Sequence, residues 1–147
     1  MTDSRRAVVV DANILIRLVL GTRVRELVLD HLDAVDFFTP QECFDDARRY
    51  LPGLLERRGI DPAAALEVLD QFEALIFPLS EATYAEAQSD AMARIGARDA
   101  NDWPILAAAL TLGCPIWTED QDFFGTGVST WTTDRVALFL SGPLTYH

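Results

Sequence analysis

The stretch 98–124, RDANDWPILAAALTLGCPIWTEDQDFF, decides the fold. Its small apolar residues over 102–112 predict a buried helix, and the apolar segment 114–118 after the next glycine predicts a buried strand. That strand ends in acid, because Asp120 and Asp122 follow it closely. A helix that leads into a buried strand is a unit of parallel sheets. Carboxylates at the carboxyl end of such a strand need a chemical explanation.

Length and composition indicate one folded domain over residues 1–147. Half of the residues are apolar, which is enough to fill a core. The net charge of −11 argues against a broad basic surface for duplex nucleic acid, but it is compatible with a site that attracts cations. All twelve basic residues are arginine. Arginine suits phosphate contacts, although a codon bias explains the same composition.

We expect a cytoplasmic protein. Residues 1–6 are polar and Asp11 interrupts the apolar run that follows, so no signal peptide is predicted. The longest uncharged run, 103–118, is too short to span a bilayer, so no membrane segment is predicted. Cys43 and Cys114 are too few for a disulfide scaffold or a zinc cluster and are expected to be core thiols.

Strands and helices alternate along the chain. The expected strands are residues 7–10, 36–39, 76–79, 114–118 and 128–131. Helical spacing fills the intervals, including Val24 to Val35 and a helix over 40–58 that is expected to break at Pro52. The expected N-caps of later helices are Asp61, Ser80 (for a helix ending near Gly96) and Thr132 or Thr133. This order predicts an α/β fold with a mostly parallel sheet covered on both faces, whose ligands bind beyond the carboxyl ends of the strands.

Three aspartates fall at that predicted edge. Asp11 closes the first strand, Asp102 lies in the first turn of the helix before the fourth strand, and Asp120 lies just past that strand. Each has a simpler explanation: Asp11 as a helix N-cap, Asp102 as a partner of the helix dipole, and Asp120 with Asp122 as turn residues. Together they predict a cation site, because clustered carboxylates repel one another without a cation.

A fourth acid is expected from the helix after the second strand, where the candidates are Glu42, Asp45 and Asp46. Asp46 borders the apolar stripe of that helix, and Glu42 lies one turn earlier on the same face. Asp45 points further away. Asp46 is therefore favoured, and Glu42 remains an alternative.

An all-oxygen site suits magnesium or manganese rather than zinc. Neither His31 nor His147 lies near the acids in sequence, and the chain has no glycine-rich phosphate loop. The remaining chemistry is metal-assisted hydrolysis, most plausibly of a phosphodiester, in which a carboxylate accepts the proton of the attacking water.

The chain resembles PIN-domain nucleases, both the bacterial toxin type and the solitary ribonucleases. The resemblance lies in VVVDANILIRLVLG (8–21), the stretch 98–124, TGVSTWTTDRVALFL (126–140) and, more weakly, TPQECFDDARRYL (39–51). It implies a three-layer α/β/α fold and a magnesium- or manganese-dependent endoribonuclease that hydrolyses single-stranded RNA.

Matched by position, the resemblance implies the role of each site residue. The catalytic acids would be Asp11, Asp46, Asp102 and Asp120. The metal ligands would be Asp11, Asp102, Asp120 and Asp122. The supporting residues would be Asn13, Thr118, Asp99 and Glu42. At the second acid the family more often has glutamate, where this chain has Asp46.

The expected partners are an RNA substrate, a cognate antitoxin if the protein is a toxin, and a second copy of the chain in a homodimer. Arg17 and Arg98 are the predicted RNA contacts, and Arg48 and Arg49 also fall near the predicted edge. The alternative is a PIN fold that binds partners without catalysis. A haloacid-dehalogenase-like phosphatase is disfavoured, because Asn13 stands where that chemistry uses a second aspartate and the chain has no lysine.

Overall fold

The computed structural model describes residues 5–96 and 98–142 and shows a five-stranded parallel sheet in the order β3-β2-β1-β4-β5. The strands are β1 (Arg6–Val10), β2 (Val35–Pro40), β3 (Ile76–Leu79), β4 (Ile116–Trp117) and β5 (Thr130–Trp131). The α-helices are α1 (Ala12–Leu20), α2 (Arg23–Asp30), α3 (Gln41–Arg57), α4 (Pro62–Phe72), α5 (Glu81–Tyr84), α6 (Gln88–Ile95), α7 (Trp103–Leu112) and α8 (Val136–Ser141). Short 3-10 turns lie at Ala85–Ala87, Ala100–Asp102 and Gln121–Phe123.

Strand β1 lies at the centre of the sheet, and its residues Val8, Val9 and Val10 are fully buried, as expected for a strand covered on both faces. The chain proceeds outward from β1 through β2 to β3, and then crosses to β4 and β5 on the other side of β1. The boundary between β1 and β4 is therefore the topological switch point, where sheets of this kind bind ligands.

The helices form two layers. Helices α1 to α4 pack against one another, whereas α5 and α6 pack with α7, which lies against β1, β2 and β4. Right-handed crossovers place the helices that precede β2 and β3 on one face and those that precede β4 on the other. The predicted three-layer α/β/α fold is confirmed.

Helix α7 is the buried helix predicted over 102–112. Leu106, Ala107 and Ala108 are fully buried, and the small alanine side chains allow close packing against the sheet. The helix ends at Gly113, whose φ of 66° is a left-handed conformation that side chains rarely adopt. The chain then enters β4 beside β1, which carries the residues after Trp117 to the switch point.

The predicted break at Pro52 is wrong, because α3 continues through this residue to Arg57. Proline removes one backbone hydrogen bond from the helix. Leu51 and Leu55 are buried beside it, and their packing holds the last turns of α3 against the core.

Strands β4 and β5 are shorter than the predicted 114–118 and 128–131. Backbone hydrogen bonds continue at both flanks, since the N–H of Val9 donates to the Pro115 carbonyl and the N–H of Thr118 donates to the Trp131 carbonyl, each at 3.0 Å. Pro115 has no N–H to donate in return, which limits the regular ladder to two residues.

Two helix predictions fail where backbone groups replace side-chain caps. The helix expected from Ser80 to Gly96 is divided by the 3-10 turn at Ala85–Ala87, and the Ser80 side chain contacts the Thr83 hydroxyl at 3.4 Å rather than a backbone N–H. The last helix begins at Val136, whose N–H donates to the Thr132 carbonyl rather than to a threonine hydroxyl.

Helix α2 ends at Asp30, earlier than the spacing to Val35 predicted, because Val35 begins β2. The Asp61 cap is confirmed, since its Oδ1 accepts a 3.1 Å hydrogen bond from the N–H of Ala63.

Both cysteines are free thiols, with Cys43 buried and Cys114 half-buried. Burial raises the pKa of the Cys43 thiol, and it raises the pKa of Cys114 to about 11. Across residues 5–96 and 98–142, no helix combines the length and apolar character that spanning a bilayer requires.

Candidate active site

Asp11 joins the ends of β1 and β4. It is 7% exposed, and its Oδ1 accepts a 2.6 Å hydrogen bond from the N–H of Ala12, so it caps α1. Its Oδ2 accepts from the Thr118 hydroxyl at 2.6 Å and from the Asn13 amide at 3.2 Å. Asp11 can therefore be both a helix cap and a site residue, because one oxygen caps α1 and the other faces the residues after β4.

A polar network continues from Asn13 toward β5. The Asn13 side-chain oxygen accepts a 3.4 Å hydrogen bond from the N–H of Glu119, and Glu119 Oε2 accepts a 2.8 Å bond from the N–H of Thr133. Glu119 thus ties the segment after β4 to α1 and to the segment after β5. Glu119 carries no sequence signal for this role, since nothing in its spacing indicates a contact with Thr133.

Asp120 and Asp122 are turn residues whose carboxylates also gather with that of Asp102. The N–H of Asp120 donates to the Thr118 hydroxyl at 2.9 Å, and Asp120 Oδ1 accepts from the N–H of Asp122 at 2.9 Å. Asp102, Asp120 and Asp122 each offer one carboxylate oxygen, and these oxygens lie within 4.8 Å of one another. Three acids from two segments could therefore share one cation.

The electrostatics single out Asp102. Burial raises its pKa to about 7, with further contributions from the negative charges of Asp11, Asp120 and Asp99. Its Oδ2 is buried and has no hydrogen-bond partner in the described part of the chain. A proton or a cation would satisfy this oxygen.

Asp11 experiences opposing influences on its pKa. Burial raises the pKa, the hydrogen bonds from Thr118 and Ala12 lower it, and the charge of Asp120 raises it further, so that the net shift is upward. We call Asp11, Asp102, Asp120 and Asp122 the acidic cluster.

Helix α3 places two acids in a cleft with Asp11 and Asp102. The cleft has a volume of about 70 Å³, and its lining includes Glu42 and Asp46 together with Asp11 and Asp102. Asp45 is exposed and accepts a 3.3 Å hydrogen bond from Gln41, so it points away, as the helix register predicted.

Glu42 and Asp46 differ in their surroundings. Asp46 forms an ion pair with Arg49, with 3.0 Å between the carboxylate oxygen and the guanidinium nitrogen. Burial raises the pKa of Glu42, as do the charges of Asp46 and Glu81, while a hydrogen bond with Tyr84 lowers it.

Asp99 is an exposed cap, because its Oδ1 accepts a 3.0 Å hydrogen bond from the N–H of Asn101 at the turn before α7. Its charge still contributes to the raised pKa of Asp102.

Two arginines hold the segment 121–127, which carries Asp122. The Arg98 guanidinium donates to the carbonyls of Asp122 and Phe124, both at 2.7 Å. Arg94 donates to the Thr126 carbonyl at 2.9 Å. Sequence reasoning missed these contacts, since they join segments that are far apart along the chain. An RNA contact by Arg98 remains a prediction.

The other predicted arginines lie in three places. Arg48 forms ion pairs with Asp70 (2.9 Å) and Glu73 of the neighbouring helix segment, so its charge is already neutralised. Arg49 pairs with Asp46 at the cleft. Arg17 is exposed on α1, one helical turn beyond Asn13.

The donor set fits a hard divalent cation. It consists of carboxylate oxygens, which magnesium, calcium and manganese prefer, and it includes the unpartnered buried oxygen of Asp102. Asp102, Asp120 and Asp122 are the described residues whose oxygens lie close enough together to hold such an ion, whereas metal binding by Asp11 stays a prediction.

The comparisons with known proteins agree with this fold. PAE2754 from Pyrobaculum aerophilum has a similar fold, with a TM-score of 0.70 at 15% identity over 97% of this chain and 100% of that one. VapBC2 from Rickettsia felis, solved bound to a DNA fragment from its promoter, gives a TM-score of 0.62 at 10% identity over 86% of this chain and 98% of that one. No curated protein matches the sequence. The family model of the PIN domain matches residues 9–141. The chain therefore belongs to the PIN-domain family.

Proposed function

We propose that the protein is a magnesium- or manganese-dependent endoribonuclease that hydrolyses phosphodiester bonds of single-stranded RNA, and that residues 1–147 form a single PIN domain. The observation that carries the proposal is the buried Oδ2 of Asp102, which has no partner among the described residues and lies beside other carboxylates. An oxygen in this position costs folding free energy unless a cation or a proton satisfies it.

In this proposal Asp11, Asp102, Asp120 and Asp122 hold the metal. A bound divalent ion supplies a water of lowered pKa and neutralises charge on the phosphate. Thr118 and Asn13 orient Asp11 through hydrogen bonds to its Oδ2.

A carboxylate at the mouth of the cleft accepts the proton of the attacking water. Asp46 is the favoured acceptor, and Glu42 is the alternative. Both residues line the cleft. The raised pKa of Glu42 makes its carboxylate a stronger base, which favours uptake of a proton.

The test is cleavage of a single-stranded RNA by the full chain with magnesium or manganese, with EDTA, and by Asp11→Asn. Asp45→Asn is the matched control, because Asp45 is an exposed acid outside the cleft. We expect cleavage by the wild type and the control only, and none in EDTA. Activity that survives chelation or needs zinc contradicts the mechanism. Inactivity of the wild type under all conditions favours the alternative, a non-catalytic PIN-fold binding module.

We propose that the protein acts in the cytoplasm, where its RNA substrate is found, and that it is either the toxin of a toxin–antitoxin pair or a solitary ribonuclease. The similarity to VapBC2 motivates the first role, but at 10% identity it shows only the fold. A small antitoxin gene adjacent to this one would support that role. We also expect a homodimer, which a monomer in sedimentation at micromolar concentration would contradict.

A further inference from the structure

A second polar surface lies beside the acidic cluster. It is an open groove of about 580 Å³ between α1, the start of α2 and the end of α3. Its lining includes Arg17, Arg23, Arg58, Thr22 and Thr133. We call it the arginine groove.

The three arginines of the groove have unused hydrogen-bond donors. In the part of the chain that the structure describes, seven of the twelve arginines donate to acids or to backbone carbonyls: Arg5, Arg6, Arg25, Arg48, Arg49, Arg94 and Arg98. Within residues 5–96 and 98–142, Arg17, Arg23 and Arg58 make no side-chain hydrogen bond or ion pair. A chain with a net charge of −11 thus leaves three guanidinium groups together without an acid. Such a cluster suits an anion that accepts several hydrogen bonds, as phosphate does.

The groove is linked to the acidic cluster through Asn13 and Glu119. Arg17 and Asn13 lie four residues apart on α1, so they share a face of the helix and are separated by about 6 Å along its axis. Thr133 also lines the groove, and its N–H donates to Glu119 Oε2, while the N–H of Glu119 donates to the side-chain oxygen of Asn13. A polyanionic strand that is bound at the acidic cluster and extends past Asn13 would therefore reach the groove.

The start of α2 adds to the positive potential. Thr22 occupies the N-cap position, but its side chain makes no capping hydrogen bond. The first-turn N–H groups of α2 are therefore not satisfied by that side chain, and helix N-termini favour phosphate groups.

We propose that the arginine groove binds backbone phosphates of the RNA strand on one side of the bond that is cleaved. This inference rests on the proposed function for the identity of the substrate. In this proposal the acidic cluster acts at the phosphate that is cleaved. The groove binds the backbone of the strand through charge and does not read the base sequence.

The experiment measures binding separately from cleavage. A fluorescein-labelled oligouridine of about 12 nucleotides is titrated with the full chain in EDTA, and anisotropy is recorded over a range of salt concentrations. The variants are Arg17→Gln, Arg23→Gln, Arg58→Gln and the triple variant. Arg57→Gln is the matched control, because Arg57 is exposed beside Arg58 but does not line the groove. Thermal melts check that each variant is folded.

We expect the slope of log affinity against log salt to fall by about 0.7 for each groove arginine and not to change in the control. In manganese, the triple variant should show a raised KM for RNA and unchanged hydrolysis of bis(4-nitrophenyl) phosphate, which is too small to reach the groove. An unchanged salt slope in the folded triple variant overturns the proposal. So does a larger loss of binding to a poly-glutamate peptide than to RNA, which would assign the groove to an acidic protein partner. If RNA binding depends on the groove but no RNA is cleaved in metal, the nuclease proposal fails and the phosphate-binding groove stands.

Discussion

The hydroxyl of Thr118 donates a 2.6 Å hydrogen bond to Oδ2 of Asp11, across 107 residues of sequence. The same hydroxyl accepts a 2.9 Å hydrogen bond from the N–H of Asp120. One threonine therefore links the end of β1 to the start of the acidic segment after β4. This link sets the position of Asp11 relative to Asp120, on which a shared cation would depend.

Replacing Thr118 with valine should remove this link while keeping the shape of the side chain. Asp11 would lose a hydrogen bond that lowers its pKa, and the N–H of Asp120 would lose its acceptor. We expect a loss of about 1–3 kcal/mol in the free energy of unfolding, together with lower nuclease activity. Thr118→Ser retains the hydroxyl and should restore most of both. Urea unfolding at neutral pH measures the stability. A valine variant as stable and active as wild type would show that the link is dispensable.

Helix α3 offers a comparison among three acids. Asp46→Asn should lower RNA cleavage more than Asp45→Asn, because Asp46 lines the cleft with Asp11 and Asp102 whereas Asp45 is exposed. Loss of at least tenfold in kcat is expected for Asp46→Asn, since general base catalysis typically contributes about 100-fold or more. If Glu42→Gln is instead the most damaging of the three substitutions, Glu42 is the second acid.

The sequence predicted the convergence of Asp11, Asp102 and Asp120 because parallel strands bring their carboxyl ends to one edge. That argument needs only strand order and local pattern. It favoured Asp46 and kept Glu42 as the alternative, because both lie on the same face of α3, and both line the cleft in the structure.

The contacts that hold the loops in place cannot be predicted from local sequence patterns. Arg98 was predicted to contact RNA, yet its guanidinium donates to two carbonyls more than twenty residues away. Glu119 likewise bridges Asn13 and Thr133, which lie on different segments. Hydrogen bonds to backbone carbonyls leave no signature in residue type, so sequence could not reveal them.

Arg98→Gln should therefore weaken metal binding more than RNA binding. Without the guanidinium, the carbonyls of Asp122 and Phe124 lose their donor, and Asp122 is held less firmly beside Asp102. We expect a several-fold weaker manganese affinity by calorimetry and an unchanged salt dependence of RNA binding in EDTA. Arg57→Gln is the control. A reduced salt slope with normal manganese affinity would instead support the direct RNA contact predicted from sequence.

Asp102 should lower the stability of the metal-free protein as pH rises. Its pKa is raised from 3.8 to about 7, first by burial and then by the charges of Asp11 and Asp120. The folded state therefore holds a proton that the unfolded chain releases, so between these pKa values stability should fall as pH rises. Asp102→Asn removes this titration. The variant in EDTA should be at least as stable as wild type at neutral pH and should lose less stability between pH 4 and 7, the range set by the two pKa values.

Magnesium should reverse this order. A ligand that binds only the folded state stabilises it according to its concentration relative to its dissociation constant. Wild type should therefore gain more thermal stability in millimolar magnesium than Asp102→Asn or Asp120→Asn, each of which removes one charge from the acidic cluster. Asp45→Asn, which removes an equal charge from an exposed position, should retain the wild-type gain. If these aspartates serve only as caps and turn residues, asparagine should be nearly neutral with and without the ion. Equal magnesium shifts in all four proteins would show that Asp102 and Asp120 do not share a metal site.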